Sequence, residues 1–130
     1  MQYTEQVAVQ RKRAQWARQD ALNPAWPDPV VFVGSSSIRR WDGLARAYSL
    51  YNPVQRGFGG AQLGEVAYYA DELIIRHRPR AVVVYAGTND IAGGVSSEVV
   101  IERFRCLRER IGAGLGWSTP IVFIGIAPAP

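Results

Sequence analysis

Short apolar runs recur along the chain, and between them lie stretches with helical spacing. Val30–Val33, Ala81–Ala86 and Ile121–Ile126 are each four to six residues long and rich in Val and Ile. A strand buried on both faces reads as such a continuous run. Strands that alternate with helices build βαβ units, so the sheet is parallel and its crossovers are right-handed.

The helical stretches follow from their own signals. Thr4 can cap a helix to about Asp20, with Val7, Ala14, Ala17 and Ala21 as its apolar stripe. Three prolines between Asn23 and Pro29 stop it. A short helix is expected from the serines to about Leu44. Ser49–Gln55 reads as a weaker strand, and Pro53 puts it at an edge. Leu63, Val66, Ala67, Ala70 and Leu73 predict a helix over 61–76. Val100, Phe104, Leu107 and Ile111 predict another from Ser96 or Ser97, closed by Gly112, Gly114 and Gly116. The fold expected is one doubly wound three-layer α/β/α domain over residues 1–130. Its two best-buried strands are central, in the order 2-1-3-4.

Composition narrows the function. The chain has 130 residues, 48% of them apolar, enough for one core. The net charge of +4 comes from 15 cationic and 11 acidic residues that are interspersed. No basic face with interleaved aromatics stands out, so no nucleic-acid partner is expected. The N-terminus has no apolar signal core and no run approaches a membrane span. With one Cys, which excludes an internal disulfide, a cytoplasmic protein is expected. Cys106, beside the apolar stripe of its helix, reads as a buried small residue. No His, Cys and carboxylate cluster has metal-ligand spacing, so neither metal nor cofactor is expected.

The polar residues collect after the strands. Gly34-Ser35-Ser36-Ser37 follows the first, Gly57 with Gly59-Gly60 the second, and Gly87-Thr88-Asn89-Asp90 the third. In a parallel sheet these three loops open on one edge, where ligands bind. The serines alone could cap a helix or, with the helix N–H groups, hold an anion. Together the loops offer more. A serine that attacks a carbonyl needs donors for the oxyanion that develops. A glycine N–H and an asparagine amide can supply them.

These segments resemble the SGNH (GDSL-type) hydrolase superfamily, esterases and acylhydrolases of flavodoxin-like fold. VVFVGSSSIRRW is similar to its first block, VQRGFGGAQL to its second, VVVYAGTNDIAGG to its third, and IVFIGIAPAP to its fourth strand. The resemblance implies Ser36 as nucleophile, with Gly57 and Asn89 as oxyanion donors. It places Ser35, Ser37, Gly59, Gly60 and Asp90 around the substrate, with Asp90 also bonding the loop that positions Asn89. Gln55 stands where the second block often has Asn.

The superfamily takes its catalytic base from a later Asp-X-X-His block, after a further strand and helix, which this sequence does not contain. The single histidine, His77, precedes the third strand. A strand of about six residues, at ~3.3 Å each, sets it roughly 20 Å from the site edge. The expectation is a serine esterase of small acyl or acetyl esters, impaired without its base. The alternatives are a binding or assembly domain that keeps the ester pocket, and a phosphate site at the Gly34 turn. An uncovered fourth strand would favour a homo-oligomer through Ile121–Ile126.

Overall fold

Val30 to Gly34 form β1, buried at every position, and its neighbours on both sides run parallel to it. The computed structural model describes residues 3–22, 27–57 and 62–124. Four strands form one sheet in the order β2-β1-β3-β4, where β2 is Pro53–Gly57, β3 is Ala81–Tyr85 and β4 is Ile121–Phe123. Every pairing is parallel. This is the α/β architecture and strand order that the apolar runs imply. Gly34 aligns with Gly57 on one side and Tyr85 on the other, so the three strands finish level.

One sheet face carries Val31, Val33, Val54, Val82 and Val84. Four helices contribute to this cluster: α1 (Tyr3–Leu22), α4 (Leu63–Tyr68), α5 (Ala70–Leu73) and α7 (Ser97–Leu115). Leu63, Val66, Leu73, Leu107 and Ile111 are fully buried there. Each such side chain contributes about 1.5–3 kcal/mol through burial. The other face carries Val30 and Phe32 under Ile38 of α2 (Ser36–Arg39) and Leu44 of α3 (Leu44–Ala47). Trp41 and Tyr48 pack edge-on and tilted against Phe32, at ring separations of 6.2 and 5.2 Å. Beyond them an open apolar groove of about 520 Å³ runs across Val83 to Val122 and Ile124.

Several expectations need correction. Ala14, Ala17 and Ala21 of α1 are exposed, and Val7's side chain lies outside the described ones. The helix docks instead through Trp16, edge-on to Tyr69 at 5.9 Å, and Asp20. One large aromatic buries more surface than three alanines. The helix after the serines breaks at Arg40, and α3 restarts after Asp42-Gly43. The expected second strand begins four residues late. Ser49–Tyr51 is a 3₁₀ turn, Asn52 is left-handed (φ 49°), and Pro53 opens the strand at the sheet edge. That position leaves no ladder donor missing.

The 61–76 helix is two short helices and a 3₁₀ turn, Ile75–His77. The β-branched pair Ile74-Ile75 favours extended backbone, and Ile74 leaves the helix at φ −128°. In α7, Gly112 and Gly114 are interior, and Gly116 (φ 103°) caps the end. A Cβ on Gly112 would stand 2.5 Å from the Trp117 ring. Phe104 is only half-buried, against Phe123 at 4.6 Å. Cys106 is exposed, not buried: it sits one position, about 100°, round the helix from Leu107. Gly125 and Ile126, the last residues of the expected fourth strand, lie outside the described residues, as do Gly59 and Gly60.

Candidate active site

The turn after β1 is built by backbone contacts to both neighbouring strands. Ser35 N–H donates to the Tyr85 carbonyl at the end of β3, at 3.1 Å. The Ser35 carbonyl in turn accepts from Ile38 and Arg39, both at 3.1 Å. Gly57, at the end of β2, lies against the same turn: a Cβ there would be 2.3 Å from Arg39 N and 2.7 Å from Ser35 O. Gly34 is as tightly placed, since its Cβ would meet Tyr85 O at 2.0 Å. Both glycines are required by close approach of backbone to backbone.

The three serines differ in access. Ser35 is 4% exposed and stands at the cap of α2. Ser36, the first residue of α2, is half-buried at the rim, and Ser37 is exposed. Ser35 makes no side-chain cap bond. A helix of four residues has too few aligned peptides for a substantial macrodipole, so an anion at the Gly34 turn would rest on backbone N–H groups alone.

The loop after β3 opens at Gly87 (φ 116°) and turns into α6 (Thr88–Ala92). Asn89 is half-buried there, one residue before Asp90. Asp90 is fully buried. Its Oδ1 accepts from Leu63 N–H at 3.0 Å and its Oδ2 from Arg103 Nη1 at 2.6 Å. Leu63 opens α4, so Asp90 ties the third loop to the far end of the second. A carboxylate enclosed in this way faces protein, not solvent. Both its oxygens hold loops in place, and this placement does not set it against a substrate.

The three loops are therefore drawn to one edge, with Ser36, Gly57 and Asn89 on them. Gln55, a departure from the second block in sequence, has a structural part. Its amide Nε2 donates to the carbonyls of Ile38 at 2.6 Å and Trp41 at 3.0 Å, and so holds the end of α2. Arg103 was missed. No local pattern marks it, because its partners Gln62 and Asp90 are 41 and 13 residues away.

His77 stands apart. It precedes β3, at the opposite end from the serine turn, and its ring nitrogen lies 4.0 Å from Asp20 of α1. Asp20 also pairs with Arg56 and, at 2.7 Å, with Arg76. Arg56 and Val54 share the sheet face under α1, whereas α2 packs on the other face. Burial holds the His77 imidazole below its ordinary 6.5; the Asp20 carboxylate opposes this, and Arg56 and Arg76 add to it. Among the described residues no group of three or more His, Cys, Asp or Glu could hold a metal ion. No helix among them is long and apolar enough to cross a membrane.

No protein-family profile matches the chain, and no curated protein does. Solved structures do match. The chain is similar to a protein described as a platelet activating factor from Streptococcus pneumonia, with TM-score 0.78 and 17% identity over 92% of this chain and 55% of that one. It is similar to a protein described as an acylhydrolase from Bacteroides fragilis, with TM-score 0.70 and 24% identity over 85% of this chain and 55% of that one. A GDSL-like lipase from Bacteroides thetaiotaomicron matches with TM-score 0.66 and 22% identity, over 85% of this chain and 58% of that one. The chain thus has the fold of GDSL-type (SGNH) hydrolases and spans a little over half the length of these neighbours.

Proposed function

We propose that this chain carries the nucleophile and oxyanion donors of an SGNH-type serine ester hydrolase acting on small acyl or acetyl esters. One observation carries the reading. The loops after β1, β2 and β3 are bonded into a single edge through Ser35–Tyr85, Gly57 against the serine turn, and Asp90–Leu63. The fold neighbours, an acylhydrolase and a GDSL-like lipase among them, support the same class.

In this reading the Ser36 hydroxyl oxygen bonds to the ester carbonyl carbon, and the carbonyl π pair moves onto oxygen. The Gly57 and Ser36 N–H groups and the Asn89 amide donate to that oxyanion. Collapse expels the alcohol and leaves an acyl-Ser36 ester, which water then cleaves. The Ser36 proton needs a base within hydrogen-bond reach. His77 faces Asp20 at the other end of β3, and Asp90 is enclosed. Neither serves as that base, and turnover without one is lower by several orders of magnitude. Hydrolysis of a short-chain aryl ester, with imidazole added as the base, tests the assignment: rate lost in Ser36→Ala and kept in Ser37→Ala supports it, and equal rates in all three overturn it.

A second reading is assembly. Val122 of β4 is 53% exposed beside the open apolar groove, and among the described residues β4 pairs on one side only. We propose that this edge takes a second copy of the chain, because two identical strand edges are self-complementary in backbone donors and acceptors.

A further inference from the structure

Arg103 sits on α7, outside every segment that carries a candidate site residue, yet it joins two of them. Its Nη1 donates to Asp90 Oδ2 at 2.6 Å and to Gln62 Oε1 at 2.9 Å. Asp90 neighbours Asn89 in the chain. Gln62 ends the loop that begins at Gly57. One guanidinium nitrogen thus spans the second and third loops, and Asp90 Oδ1 closes the clasp on Leu63 N–H. The fit on the far side is close as well. A Cβ on Gly93 would lie 3.2 Å from Asn89 O and 3.3 Å from Gln62 Nε2, so the turn that ends α6 rests against the same amide.

The clasp is asymmetric in burial. Asp90 is fully buried, whereas the Arg103 side chain is about one third exposed. A buried carboxylate that loses its cation is left uncompensated. The simplest relief is movement of α6 towards solvent to hydrate the carboxylate, and that movement carries Asn89 with it. A change on α7 would then be felt at the oxyanion site without touching it. From this geometry we propose that Arg103 is a positioning residue, fixing the Asn89 amide relative to Gln62 at the start of α4. The proposal rests on the assignment of Asn89 and Gly57 as oxyanion donors.

The test reads position and rate separately. Amide NMR spectra of the wild-type chain, Arg103→Met, Arg103→Lys and the double variant Arg103→Met/Asp90→Asn follow the Asn89 side-chain amide and the Gly57 N–H. In Arg103→Met the Asn89 amide is expected to shift and broaden while Val31 and Val82 stay in place, and Arg103→Lys should restore it in part. Should Arg103→Met fail to fold, the double variant, which buries no lone charge, supplies the readout. Displaced Asn89 signals there support a positioning clasp; wild-type signals there show that only charge compensation matters and overturn it. With imidazole supplied as the base, Ser36-dependent ester hydrolysis in Arg103→Met is expected to lose about 10²-fold in kcat with little change in KM. An unmoved Asn89 amide in folded Arg103→Met overturns the proposal. Absence of Ser36-dependent hydrolysis in the wild-type chain even with imidazole present would instead fail the esterase assignment, and the NMR arm would still decide the positioning claim.

Discussion

The side-chain amide of Gln55, on β2, donates to the main-chain carbonyl of Ile38 at 2.6 Å. The same nitrogen also reaches Trp41 O at 3.0 Å. Ile38 is in the last turn of the short helix that starts at Ser36 and Trp41 follows its cap; each carbonyl also accepts one backbone N–H, from Trp41 at 3.3 Å and from Leu44 at 3.2 Å. A four-residue helix has little stability of its own. Its place is set by Gln55 below and by Ile38, fully buried, against Phe32.

Removing that amide should therefore cost more than a surface change. Gln55→Leu takes one donor from each of two part-buried carbonyls, which keep their backbone partners Trp41 N–H at 3.3 Å and Leu44 N–H at 3.2 Å, so a loss of about 0.5–1.5 kcal/mol per bond is expected. Urea denaturation measures it. Because the helix carries Ser36, Ser36-dependent ester hydrolysis should fall further than the small unfolded fraction explains.

Gly34→Ala is expected to be more damaging. Its Cβ would stand 2.0 Å from Tyr85 O, and the Ser35–Tyr85 bond beside it would have to open. Overpacking of this kind costs about 1–3 kcal/mol before the lost bond is counted. A thermal unfolding midpoint equal to wild type would refute the close contact.

These two relationships also show what a sequence reveals. The apolar runs place β1 and β3 at the sheet centre, because a buried strand cannot hide its composition. The edge at which Ser36, Gly57 and Asn89 gather follows from parallel topology alone. Contacts at long sequence separation left no such trace. Asp20 pairs with Arg56, 36 residues away, and Arg103 with Gln62, 41 away. Neither leaves a periodic mark. The face of α1 was misread because three small alanines share a stripe, while Trp16 and Asp20 dock the helix. Cys106 was misread because adjacency in sequence to Leu107 means a quarter turn on a helix, enough to face solvent.

His77 gives a pH dependence with a defined sign. Burial lowers its folded pKa below the ordinary 6.5, against the pull of Asp20 and with the push of Arg56 and Arg76. As pH falls below 6.5, the unfolded chain takes up the proton first. Stability from this residue is complete above about pH 6.5 and declines as pH falls, until folded His77 is protonated too. Denaturant midpoints measured between about pH 5 and pH 8 should show that decline, and His77→Gln should flatten it. Equal slopes in the two proteins would contradict the burial.

The β4 edge makes a separate claim. Sedimentation at rising protein concentration should show a homodimer, and Val122→Lys should shift the chain towards monomer, as charge on an edge strand opposes pairing. A monomer at every concentration would remove the assembly reading and leave the sheet unchanged.

The central claim is that this chain supplies a nucleophile and oxyanion donors without a base, and chemical rescue tests it most directly. Imidazole added to the wild-type chain should accelerate hydrolysis of a short-chain aryl ester in a saturable way. Ser36→Ala should show only the linear rate of imidazole in solution. Identical imidazole dependence in wild type and Ser36→Ala would contradict the account.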